Sequence, residues 1–256
     1  MIAETPKVDM AQDKIDHWVG VARMYRAWQH YCLVRVFGDC YYVSKVLTDA
    51  DKDILYGKRH DRDAVMDSVL KDLNFAVENM NLNDASRTAY NKWVAQAMKA
   101  EICLYEGTFC KYRNAQDNGK AADPARAEKF LKEAKTACEA IINSGKFSLY
   151  GANPSSVAEA VQNLGDMFVT KQNCEYIFGQ SLNNGVATSG SDFDVLNSPC
   201  QTVTGNSSCG KYSVTINFVD KFDNYDANFG AVDGTVVTRT DGKENEYFQG
   251  TLTMFP

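Results

Sequence analysis

A chain of 256 residues with 27 Lys and Arg against 33 Asp and Glu has a formal net charge of −6 and a pI near 5.2. That balance excludes the basic face a nucleic-acid binder needs to neutralise phosphates. Hydrophobic residues at 45% and charged residues at 23% are the proportions of a folded globular protein, not of a disordered one.

In the first ten residues, MIAETPKVDM, no basic stretch precedes an apolar one, so they do not read as a signal peptide. From Asp13 to Val43, Ile15, Trp18, Val19, Ala22, Tyr25, Cys32, Leu33 and Val36 recur at three- and four-residue steps, which predicts a helix with one apolar stripe. Val21, Met24, Trp28 and Tyr31 fill much of the opposite side, so a central helix covered nearly all round is expected. Arg23, Arg26, His30 and Arg35 exclude a membrane span, because each would be stranded in hydrocarbon. Gly38 supplies a helix stop.

Leu47 to His60 reads as a polar loop ending at Asp61 or Asp63 as a cap. The next helix places Val65, Val69, Leu73, Ala76, Val77 and Met80 on one face, with Asp67 and Lys71 paired at i,i+4 outside. NLNDASR is a turn offering Asp84 or Ser86 as cap. The helix after it, through Tyr112, carries Tyr90, Trp93, Val94, Ala97, Leu104 and Tyr105 on one side and Ala95, Met98 and Ile102 on the other, again as a central element. Asp123-Pro124 is a strong helix start, followed by Phe130, Leu131, Ala134, Cys138, Ile141 and Ile142 as the inner face and Gly145 as the stop. Helices are thus expected over 12–37, 62–80, 88–112 and 124–144, with Trp18, Leu33, Leu73, Trp93, Leu104 and Ile141 buried.

Beyond Tyr150 the composition shifts. SSVAEAVQNLGDMF predicts a short helix and CEYIFGQSL a strand. Residues 183–211 are rich in Asn, Ser, Thr and Gly without periodicity, and the last stretch predicts two strands around Asp241-Gly242. Of eight cysteines, Cys32, Cys103, Cys110 and Cys138 sit in predicted helices as small core residues. Cys200 and Cys209 bound a polar loop short enough to close as a disulfide in an oxidising compartment.

Chemical motifs are absent: there is no GxSxG, HExxH, P-loop, GxGxxG or CxxC. His17 and His30, thirteen residues apart, do not share a helix face as a ligand pair. Asp220, Asp223, Asp226, Asn228 and Asp233 are oxygen-rich but miss the EF-hand spacing and read as turn formers. The expectation is a protein with no catalytic residue, metal or cofactor, although two carboxylates can meet from anywhere in a fold.

Arg26-Ala27-Trp28, Leu33-Val34-Arg35-Val36-Phe37-Gly38-Asp39 and Tyr42-Val43 resemble the "RA-aromatic … LvR-fGD-P-v" segment of the SusD/RagB family. Asp72-Leu73 and Ala76 match its "DL-xx-A" helix, and Trp93, Ala97, Ala100, Leu104, Tyr105 and Gly107 match its next one. SGKFSLY, CEYIF, and Asn217, Val219, Asp220 and Phe222 continue the likeness. Tyr41 stands where the family has proline, and Glu101 where arginine is frequent.

The resemblance implies a mainly α fold: a tetratricopeptide-like helical core over 1–150, and a loop-rich, partly stranded ligand-binding region over 151–256 of the same domain, the whole an internal piece of a longer protein. No strict 34-residue repeat is visible. By function the resemblance implies a cell-surface glycan- or nutrient-binding protein. It would be held on the extracellular face of the outer membrane by an N-terminal lipid anchor outside this chain, and would deliver oligosaccharides to a SusC-like TonB-dependent transporter. Alternatives are a peptide-binding member of the family, a tetratricopeptide-type interaction scaffold, and a carbohydrate-active enzyme.

Sugar binding needs aromatic faces against pyranose rings and amides for their hydroxyls. All three tryptophans fall on helices whose periodicity buries them. The candidates are therefore Phe193, Asn197, Tyr212, Asn224, Tyr225 and Phe229, which combine aromatics and amides in the irregular region.

Overall fold

The structure is a computed structural model that describes residues 9–81, 87–170 and 173–179. Four long helices dominate: α1 (Gln12–Phe37), α3 (Arg62–Asn79), α4 (Lys92–Tyr112) and α6 (Pro124–Ile142), with the single turns α2 (Lys52–Leu55) and α5 (Ala115–Asn118) between them and α7 (Val157–Val169) after them. Each long helix packs on the next, α1 on α3, α3 on α4 and α4 on α6. That serial arrangement is what short connections between successive helices produce, and it agrees with a mainly α, tetratricopeptide-like core.

The helix starts follow the local chemistry. Asp61 accepts from the Asp63 N–H at 2.8 Å, Asn91 from Trp93 and Val94 at 2.9 and 3.3 Å, Asp123 from Arg126 at 2.9 Å, and Ser156 from Glu159 at 3.2 Å, each satisfying amides that have no intrahelical partner. Pro124 occupies the first turn of α6, where no amide is needed. The cap of α4 is therefore Asn91, not Asp84 or Ser86, which lie outside the described residues. Gly38 ends α1 at φ 68° while its N–H donates to Val34 O.

Burial on α3 follows the predicted stripe: Val65, Val69, Leu73 and Ala76 are inside, joined by Met66 and Leu70. On α1 the predicted stripe holds at Ile15 and Val19, which are buried, and fails along the rest of the helix. Trp18 and Leu33 are 46% and 40% exposed, and Tyr25 and Val36 also face outward. Besides Ile15 and Val19, the buried side is His17, Gly20, Val21, Met24, Ala27, His30, Tyr31 and Val34. The reason is fit: a Cβ at Gly20 would meet Met80 Cγ at 2.8 Å, so Gly20 and Ala27 let this side of α1 approach α3 closely enough to enclose Met24 and Tyr31. Among the described helices α1 packs mainly on α3 and to a lesser extent on α4, which puts it at the edge of that array.

The same rotation applies on α4, where Val94, Ala95, Ile102, Cys103 and Cys110 are buried and Leu104 is 53% exposed. Trp93 and Ile141 are half-buried, Cys138 and Ile142 exposed, and Leu73 fully buried as expected. Among the described residues there is no strand, only an isolated bridge between Cys40 and His60. The described part of the predicted CEYIF strand is instead an irregular turn, because the Asn173 side chain accepts the Glu175 and Tyr176 amides, each at 3.0 Å, before a neighbouring strand can.

Candidate functional site

Phe193, Asn197, Tyr212, Asn224, Tyr225 and Phe229 lie outside the described residues, as do Cys200, Cys209, the acidic run from Asp220 to Asp233 and the predicted hairpin at Asp241-Gly242. The described residues hold two buried polar clusters and, on α1, a pair of exposed aromatics.

The first cluster joins α3, α4 and α6. Glu106 is fully buried on α4, and its carboxylate accepts from Arg62 at 2.6 and 3.1 Å, from Arg126 at 3.2 Å and from the Cys110 thiol at 3.3 Å. Asp63 accepts from Arg62 and Arg113, both at 2.8 Å, and from Lys120 at 3.1 Å. Asp67, expected to pair with Lys71, instead bonds Arg126 at 2.9 Å and Lys129 at 2.8 Å. Tertiary geometry supplied α6 cations that bring more to Asp67 than one exposed i,i+4 partner would. Burial alone would raise the Asp63 pKa, but its bonds to Arg113 and Lys120 and the charge of Arg126 hold the carboxyl well below its usual range.

Asp63, Glu106 and Cys110 each offer one ligand atom, all within 4.8 Å of one another. Their carboxylates already face three guanidinium groups, so the position a metal ion would occupy is electrostatically filled by arginine. Burial, with Glu106 beside it, pushes the Cys110 thiol up to about 11, and burial pushes Cys103 up to about 12. Neither is a thiolate at neutral pH, and neither is a nucleophile.

The second cluster joins α1, α3 and the 39–44 segment. Asp72 is buried and accepts two bonds of 2.6 Å from Arg26, plus one from the Tyr42 hydroxyl. His30 bonds Arg26 O through Nδ1 at 2.8 Å, and its Nε2 accepts from the Val43 amide at 2.9 Å. These roles require the neutral Nδ1–H tautomer, and burial lowers its pKa in the same sense. Tyr41 donates to Asp53 O at 3.0 Å, so a side-chain bond ties this loop where a proline would have stiffened it. Arg26, Asp72 and Tyr42, which stood out in the sequence as motif residues, act here as the joint between two helices and a loop.

Two exposed aromatics lie on one face of α1. Trp18 and Tyr25 are seven residues apart on its outer face, about 10.5 Å along the axis. The Tyr25 hydroxyl bonds that of Tyr90, their rings meeting edge-on at 5.2 Å, and Tyr90 lies 4.9 Å from Phe178. Burial, then the Tyr90 hydroxyl, pushes the Tyr25 phenol up to about 12. The expectation that every tryptophan is withdrawn into the core is corrected: Trp18 is exposed, and Trp28 and Trp93 are half-buried. The stripe itself was the signal; its direction was not legible.

Residues 3–104 match the SusD-like family model described as starch-binding, associating with outer membrane. Among solved structures, the chain is similar to a SusD-like protein from Bacteroides fragilis NCTC 9343, at 17% identity and a TM-score of 0.51, over 71% of this chain and 30% of that one. It is also similar to a SusD superfamily protein from the same organism, at 19% and 0.53, over 87% and 45%. A third structure, solved with a xylogluco-oligosaccharide, is similar at 18% and 0.55, over 87% and 40%. The chain thus spans 30% to 45% of the length of these structures, and at such identities the likeness is one of fold. No curated protein matches it. Among the described residues no helix is long and apolar enough to cross a membrane.

Proposed function

We propose, for a chain that is SusD-like in sequence over residues 3–104 and in the fold of its described helices, that it is part of a glycan-binding protein of the outer membrane. The observation that carries this reading is the match to a starch-binding family across α1, α3 and α4 as far as Leu104. Within it, Arg26, Tyr42 and Asp72 form the joint that holds the scaffold. A structural neighbour solved with a xylogluco-oligosaccharide points to the same ligand class. SusD-like proteins are binding proteins, and each carboxylate of the described clusters is matched by cations instead of being poised for acid-base work.

In this reading the helical array is a rigid support, and recognition falls to Phe193, Asn197, Tyr212, Asn224, Tyr225 and Phe229. The protein sits on the extracellular face, held by a lipid anchor, and hands oligosaccharide to a SusC-like TonB-dependent transporter. Calorimetric titration with malto-oligosaccharides, xylogluco-oligosaccharides and peptides of similar length tests it, with chromatography of the mixtures for products. Saturable binding of a glycan without turnover supports the reading. Binding confined to peptides, or turnover abolished by one carboxylate substitution, overturns it. Co-purification of a β-barrel transporter with the membrane-bound protein tests the partner.

A further inference from the structure

Arg87 is the one non-glycine residue at positive φ among the described residues, at 57°, a conformation L-residues avoid. Glycine or asparagine is the ordinary choice there, so an arginine at this position directs attention to its side chain. Its Nη1 donates to the carbonyls of Asn173 and Tyr176, the latter at 2.6 Å, and Nη2 to that of Lys146 at 3.3 Å. The guanidinium lies over the Phe147 ring, 5.0 Å from its centroid. The Arg87 carbonyl in turn accepts from the Gly179 amide at 3.2 Å.

One residue therefore holds the 173–179 segment at its beginning, middle and end, and fastens it to the 146–147 turn. The segment has no helix or strand to hold it, so its backbone carbonyls depend on partners from elsewhere. Its other ties are the Ser148 amide to Cys174 O at 3.1 Å, the Tyr150 amide to the Glu175 carboxylate at 3.0 Å, Asn173 Nδ2 to Met167 O at 2.6 Å, the Cys174 thiol to Leu149 O at 3.8 Å, and Phe178 packed on Tyr90 and the core. Three carbonyls converging on one planar fork is a geometry that arginine meets and lysine does not.

We propose that Arg87 is a latch: its guanidinium sets how often residues 173–179 open from the helical array, and so positions the stretch that precedes, in sequence, the proposed ligand-binding residues. The latch stands on the geometry alone. Its link to ligand rests on the glycan-binding reading.

Arg87→Gly tests it, because glycine accepts the left-handed backbone while the whole arginine side chain, guanidinium included, is removed. Hydrogen exchange at the Ser148, Glu175, Tyr176 and Gly179 amides is expected to accelerate roughly tenfold or more, the scale of a lost charge-assisted bond, while Val69 and Cys103 on the core helices keep wild-type protection. Unchanged exchange in the segment overturns the latch, as does equal loss at Val69 and Cys103, which would make Arg87 an ordinary stabilising residue. Arg87→Lys is expected to open like Arg87→Gly, and retained protection in it would overturn the fork geometry. Oligosaccharide titration separates the two readings. If wild type binds no glycan, the functional reading fails and the latch remains. If wild type binds and an opened Arg87→Gly binds equally well, the positioning role is overturned.

Discussion

The Arg62 guanidinium grips both oxygens of the fully buried Glu106 carboxylate, at 2.6 and 3.1 Å, and so joins the first turn of α3 to the middle of α4 in a place water does not reach. A buried pair of this kind contributes little net stability over an apolar pair, but breaking it strands a charge. Glu106→Ala is therefore expected to lower unfolding stability by about 3–5 kcal/mol, read from urea denaturation. A loss below about 1 kcal/mol, the scale of an exposed pair, would contradict the burial.

Gly107 on α4 faces Leu131 of α6 at close range. A Cβ there would meet Leu131 Cγ at 2.7 Å and the Leu131 backbone nitrogen at 3.0 Å. Alanine in place of glycine gains up to about 1 kcal/mol of helix propensity, but overpacking costs about 1–3 kcal/mol. Gly107→Ala should be net destabilising by thermal melting; a higher Tm would mean the two helices part without cost.

Leu73 and Leu104 looked equivalent as predicted core positions, yet one is fully buried and the other 53% exposed. Leu73→Ala is expected to cost about 2–5 kcal/mol and Leu104→Ala less than about 1 kcal/mol. Comparable losses in denaturant titrations would refute the assigned orientation of α4.

Acid should destabilise the fold in two steps. Burial lowers the His17 and His30 pKa values, so the unfolded chain takes up those protons first, and stability falls as pH drops below about 6.5. Asp61, Asp63 and Asp67 are depressed by their cationic partners. Their contribution is complete above the unfolded carboxylate value and is lost as pH falls below about 4. Melting curves from pH 8 to 3 should show both steps, and Asp63→Asn should flatten the lower one. An unchanged slope in that variant would remove Asp63 from the account.

Among the proposed ligand residues, Tyr225 is the first to test. Aromatic stacking contributes on the order of 1 kcal/mol beyond area burial, so Tyr225→Ala should weaken oligosaccharide binding several-fold to about tenfold without unfolding the protein. Unchanged affinity across Tyr212, Tyr225 and Phe229 replacements would move the site elsewhere.

What was legible in the sequence was local. The ends of α1, α3 and α6, the caps at Asp61 and Asp123 and the stop at Gly38 depend on bonds within a few residues, so residue type and spacing predict them. The inner face of α3 was legible too, because its apolar residues occupy one side only.

Tertiary structure alone decided which side of α1 and α4 turns inward. Both carry apolar residues around most of their circumference, and periodicity cannot rank two apolar faces; the choice falls to close approach, where Gly20, Ala27 and Ala95 fit a neighbouring helix and Trp18, Leu33 and Leu104 do not. The pairing of Glu106 with Arg62, of Asp67 with Arg126 and of Arg87 with Asn173 was equally hidden. Those partners stand 44, 59 and 86 residues apart, and a charge does not record in its own neighbourhood which distant charge or carbonyl the fold will bring to it.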